Sequence, residues 1–153
     1  VLDLPDTAAY PRPLQERVPI LLGGGGERRT LRLAARYADA ANVLGDLATV
    51  TRKAAVLRKH CAAAGREVEL SHLTTAVVGA DAASVGRLVE SLRPRGADPA
   101  RYAATVHAGT VDDQVGRFRE LAEAGVAEIA VRLPGLTDAE PLARFAPVIA
   151  ALR

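Results

Sequence analysis

The chain has no methionine and no tryptophan, a single cysteine, and only three tyrosines and two phenylalanines in 153 residues. Each scarcity removes a class of protein. One thiol, Cys61, excludes an internal disulfide. Few aromatic side chains and a net charge of +2, carried by arginines scattered among acids, remove the stacking platform and the basic tract that nucleic-acid binding needs. Long uncharged apolar runs and a signal-peptide pattern are both missing, so no membrane span is expected and a cytoplasmic protein fits. No His, Cys, Asp and Glu spacing suits a metal. The lack of methionine, with Val1 in first place, is expected of a chain that has lost its initiator or is a piece of a longer one.

What remains is an ordinary globular composition, 49% hydrophobic and 25% charged, long enough for one domain with a sizeable core. Residues 1–18, with Pro5, Pro11 and Pro13, read as an extended lead-in. Strand and helix then alternate. Ile20 to Leu22 is the first strand. A helix over residues 27–38 follows, with Leu31, Ala34, Ala35 and Ala38 on one face. A strand over 40–44 turns at Gly45 and Asp46 into a helix whose seam is Val50, Ala54, Leu57, Cys61 and Ala64. Cys61 is therefore read as a small buried hydrophobe. A third strand over 68–78 leads to Asp81 as an N-cap and a helix with Val85, Leu88, Val89 and Leu92. Residues 94–109, with Pro94, Gly96 and Pro99, are expected to be an irregular insertion. Thr110 and Asp113 read as a capping box, and Val115, Phe118, Leu121 and Ala122 as the inner face of the next helix. The fourth strand covers 127–133. A last helix from about Glu140 is expected to bury Leu142, Phe145, Ile149 and Leu152, and to kink at Pro147.

Four βα units in a single domain imply a parallel sheet packed by helices. A doubly wound open sheet would be complete at this length; a (β/α)8 barrel, at about 250 residues, would be half present. Periodicity leaves both open.

The chemistry concentrates where the first strand meets its helix. Gly23, Gly24, Gly25 and Gly26 lead into Glu27, Arg28, Arg29 and Thr30. Glycines permit close backbone approach, and a helix start leaves unpaired N–H groups with partial positive charge, so the segment reads as an anion site, most simply for phosphate. Two arginines there oppose the helix dipole by about 0.3–1 kcal/mol each unless something negative is near. The spacing matches neither a dinucleotide fingerprint nor a P-loop.

Residues 19–42 (PILLGGGGERRTLRLAARYADAAN), with 58–66, 109–115 and 121–126, resemble the second half of the luciferase-like monooxygenase superfamily, especially members using the deazaflavin coenzyme F-420. The resemblance implies a C-terminal half, strands five to eight, of a (β/α)8 TIM barrel. It implies F-420 or FMN as cofactor, with the phosphate held by Gly23, Gly24, Gly25, Gly26, Arg28, Arg29 and Thr30. It implies hydride transfer to or from an organic substrate, and no catalytic residue can be carried over. The chain alone is then expected to be nearly inactive and to need a second copy or a missing N-terminal half. The alternatives are a non-catalytic half-barrel that binds flavin or phosphate, and an assembly module. Asn42 is placed to reach the cofactor ring and Asp39 to serve structure. His60 reads as a solvated helix residue and His107 as a loop residue at the site mouth. His72, in phase with Leu70 and Thr74, is a candidate for the barrel lumen.

Overall fold

The computed structural model describes residues 10–153. Four parallel strands form the main sheet: β1 (Leu21–Gly23), β2 (Ala40–Val43), β3 (Glu69–Thr75) and, after an excursion, a strand over Glu128–Arg132. The excursion comprises β4 (Val77–Gly79), paired in parallel with β5 (Ala108–Thr110), so the fourth strand of the main sheet is β6. The helices are α1 (Thr30–Tyr37), α2 (Leu47–Ala64), α3 (Ala82–Leu92), α4 (Pro99–Thr105), α5 (Val111–Glu123) and α6 (Glu140–Ala151).

The main sheet runs β1-β2-β3-β6, so its strands lie side by side in chain order. Leu22, Ala41, Val43, Leu70, Ile129 and Val131 point to one face and pack under α1, α2, α5 and α6. The core under those helices includes Leu31, Ala34, Val50, Leu57, Phe118 and Phe145, the two rings meeting edge to face at 6.0 Å. Burial of a side chain such as Leu31 contributes about 1.5–3 kcal/mol. The other face carries Leu21, Leu73, Glu128 and Ala130, all exposed. A doubly wound sheet would reverse its order at a switch point and carry helices on both faces. Among the described residues neither feature is present.

The helix termini follow the sequence. Asp81 takes the Ser84 N–H at 2.7 Å, and Thr110 and Asp113 close a capping box. Gly65 ends α2 in the left-handed conformation, at φ 63°.

Four local expectations change. The first helix begins at Thr30, because residues 27–29 form a turn. Arg28 and Arg29 therefore precede the helix. The strand expected over 68–78 breaks at Ala76, whose N–H bonds Arg132 O at 3.1 Å, and its end leaves the sheet to pair with β5. The stretch 94–109 is structured: Asp98 accepts the Arg101 N–H at 2.8 Å and Pro99 opens α4, a start signal of N-cap plus proline. In α6 the buried face is Pro141, Phe145 and Val148, whereas Leu142, Ile149 and Leu152 are exposed. Both patterns have helical spacing and share Phe145, so periodicity could not separate them.

Candidate functional site

The glycine segment lies at the C-terminal end of β1. Gly24 has φ 126°, a region closed to most side chains, and its N–H is spent on Asn42 O at 3.1 Å, which ties the loop to β2. Gly26 passes over Thr30: a Cβ there would lie 2.8 Å from Oγ1. The Thr30 side chain thus fills the underside of the loop and sets the glycine above it.

Beyond Gly24 the backbone is open. Among the described residues no acceptor is hydrogen-bonded to the N–H of any residue from Gly25 to Thr30. Leu31 and Leu33 resume helical-type bonding, to Gly26 O at 3.0 Å and Arg29 O at 2.9 Å. Arg29 occupies the N-cap position, makes no capping bond, and is followed by no acid in the first turn. A row of donors at a helix start whose first turn carries no acid is what an anion needs.

The loop is held from α2. Arg52 Nε pairs with Glu27 Oε1 at 2.9 Å, and His60 Nε2 donates to Glu27 O at 2.9 Å. His60 is therefore a loop support and only half-exposed, which its position in the sequence did not show. Glu27 is neutralised by Arg52. Arg28 and Arg29 are exposed and pair with no carboxylate among the described residues.

Asn42 sits beside Gly23 in the β1–β2 register, and its Nδ2 donates to Ser71 Oγ at 2.9 Å. It stands at the foot of the loop. Asp39 lies at the other end of the strands. It accepts from Arg17 Nη1 and Ile20 N, each at 2.7 Å, and the Arg17 bond, then the Ile20 bond, holds its carboxyl below the usual range. The structural role expected of it agrees.

His72 does not face the open side. It shares the helix-covered face with Leu70 and Thr74, is 3% exposed, and its Nδ1–H donates to Val43 O at 2.9 Å. Strand alternation identified its companions; only packing shows which face they take. Near it, His107, at φ 46°, donates from Nδ1 to Thr75 O at 3.2 Å. Burial first, then Arg117 and His72, lowers the His107 pKa. Arg117 Nη1 donates to Thr74 Oγ1 at 2.9 Å and Nη2 to Gln114 Oε1 at 2.9 Å, while burial pulls its pKa down to about 10. These groups knit β3 to α5 and lie away from the glycine loop. Burial raises the pKa of Cys61, which stays the inert core residue it was read as.

A concavity of about 1100 Å³ opens between Pro19, Leu57, Arg66 and Glu69, at the N-terminal ends of the strands and so opposite the glycine loop. Among the described residues no cluster of metal ligands occurs, and no helix is long and apolar enough to cross a membrane.

Comparison with known proteins gives this geometry a setting. No curated protein matches the chain. Similar solved structures include an F-420-dependent secondary alcohol dehydrogenase in complex with an F-420–acetone adduct (TM-score 0.67, 19% identity, covering 94% of this chain and 51% of that one). EDTA monooxygenase from Chelativorans sp. BNC1 matches with TM-score 0.67 and 18% identity, over 86% of this chain and 43% of that one. A type II Baeyer-Villiger monooxygenase from Pseudomonas putida, in complex with FMN, matches with TM-score 0.64 and 17% identity, over 86% of this chain and 46% of that one. The chain thus spans about half the length of the structures it matches. The likeness extends to sequence, since the profile of luciferase-like monooxygenases matches residues 2–133, and the chain belongs to that family.

Proposed function

We propose that this chain is the cofactor-phosphate-binding half of an F-420- or FMN-dependent oxidoreductase, folded as strands five to eight of a (β/α)8 barrel. The observation that carries the reading is the run of unbonded N–H groups from Gly25 to Thr30 at the start of a helix whose first turn has no acid, the one carboxylate in the run, Glu27, being paired with Arg52. Chain-order strands, helices on one face only, and the half-length coverage of related structures support the half-barrel.

The residues fit the group. A phosphate is anionic and small, and the loop offers backbone donors in a row, a floor made by Thr30, and uncommitted cations at Arg28 and Arg29. The bound deazaflavin or flavin supplies the hydride chemistry with an organic substrate. This chain's part is to hold the phosphate at residues 23–30 and to offer Asn42 and the open sheet face as one wall of the site. Asn42 Oδ1 remains available as an acceptor while its Nδ2 is fixed by Ser71. With only one wall, the chain binds without efficient turnover. The exposed inner face and the outer edges of β1 and β6 call for a cover, either a second copy or an N-terminal half.

Calorimetric titration with FMN and with riboflavin, which lacks the phosphate, tests the reading. FMN binds at least about tenfold tighter if the loop takes the phosphate, the contribution of one charge-assisted contact or more. Equal affinities would remove the phosphate site.

A further inference from the structure

Lys53 takes no part in the ion pairs that fasten the loop. It stands on the face of α2 that also carries Thr49, Val56 and His60, and its side chain runs up against Gly25. A Cβ on Gly25 would lie 2.8 Å from Lys53 Cε and nearer still to Nζ. Gly25, unlike Gly24, does not have a positive φ. A side chain at Gly25 would displace the flexible end of Lys53.

The ammonium is poorly satisfied where it lies. Nζ donates to Leu44 O at 3.3 Å, its single hydrogen bond among the described residues, and no described carboxylate pairs with it. An ammonium has three donors, so two are uncommitted. Lys53 is half-buried, and a cation drawn partly out of water gains most from an anion close by. Its position between the Gly25 backbone and the end of β2 borders the run of free N–H groups.

We propose that Lys53, whose side chain abuts the Gly25 backbone, is the principal charged ligand of the phosphate held at residues 25–30. The inference rests on the phosphate reading of the loop and adds to it the cation that the nearby sequence did not reveal. Arg28 and Arg29, exposed and without an ion pair among the described residues, attract the anion from solvent and contribute less once it is bound.

Inorganic phosphate and FMN, titrated by calorimetry into the 153-residue chain, test this. Lys53→Met is expected to weaken both by about 10- to 100-fold, the loss of a charge-assisted contact, and Lys53→Arg to recover part of it. Neutralising the arginines as Arg28→Gln with Arg29→Gln is expected to cost less than about threefold. Gly25→Ala is expected to weaken binding in the parent chain and to add nothing in the Lys53→Met background, since the two changes disturb one contact. Unchanged affinity in Lys53→Met, with an unchanged thermal melt, overturns the assignment, as does an equal effect of Gly25→Ala in both backgrounds. If the parent chain binds neither phosphate nor FMN, the loop is not a phosphate site at all, and that result is distinct from a loop that binds without help from Lys53.

Discussion

The helix starts of this protein fall into two kinds. At α2, α3, α4 and α5 the chain supplies its own acceptor: Asp46, Asp81, Asp98 and Thr110 each take a backbone N–H of the first turn. At α1 it supplies Arg29, a donor where an acceptor belongs, and no acid follows. The start of α6 has no capping bond at Ala139 either, but Asp138 accepts the Glu140 N–H at 2.8 Å and Glu140 puts an acid in the first turn. Only α1 lacks any such acceptor or acid, and it lies beside three cations without a described ion-pair partner, Arg28, Arg29 and Lys53. A missing cap forgoes about 0.5–2 kcal/mol in a marginally stable chain. It is expected where the missing acceptor arrives from outside as a ligand.

Closing the open end should break the comparison most severely. Reversing both cations, Arg28→Glu with Arg29→Glu, puts two negative charges against the row of N–H groups and should weaken FMN binding by more than about tenfold in calorimetry, despite leaving the fold intact. Arg29→Asp separates the two roles of the site: an internal cap should raise the thermal midpoint, worth about 1 kcal/mol, while phosphate binding falls. A variant that loses binding and stability together would show that α1 is not waiting for an anion.

The closed ends should behave the opposite way. Thr110→Ala removes the α5 cap and should cost about 1 kcal/mol of stability in urea unfolding, with FMN affinity unchanged. The β3–α5 junction gives a pH signature of its own. His107 has a lowered pKa when folded, so between its ordinary value near 6.5 and the lower folded value the unfolded chain holds more protons. Stability attributable to His107 is complete above that window and falls as the pH drops through it. Asp39, Asp46, Asp81 and Asp113, all lowered, lose their contribution at more acid pH, below the ordinary carboxylate range. Urea midpoints at pH 5 to 8 measure the first effect, and His107→Asn, which tolerates the positive φ and does not titrate, should flatten it. The smallest effect is expected at Arg52→Ala: the pair with Glu27 is largely exposed and contributes about 0.5 kcal/mol or less.

Much of this was legible in residues close together along the chain. Alternation of strand and helix, the caps at Asp81 and Thr110, the glycine segment and the resemblance of residues 19–42 all depend on local pattern, which a backbone obeys before it folds further. The α4 signal, Asp98 followed by Pro99, is equally local. Other features depend on which surfaces meet. Phe145 serves equally in two helical stripes of α6, and only the packing of the helix against the rest of the fold puts Val148 inside and Ile149 outside. His72 alternates identically whichever face is covered, and the helices cover its own. His60 and Lys53 reach the loop across 33 and 28 positions of sequence, His60 to Glu27 and Lys53 to Gly25. The sequence by itself therefore determined the alternation of strand and helix, most helix caps and the family, because these follow from short-range spacing and backbone chemistry. The tertiary structure alone decided which face is core, which histidine is buried and which cation stands at the glycines, because each is set by packing between segments distant in the chain.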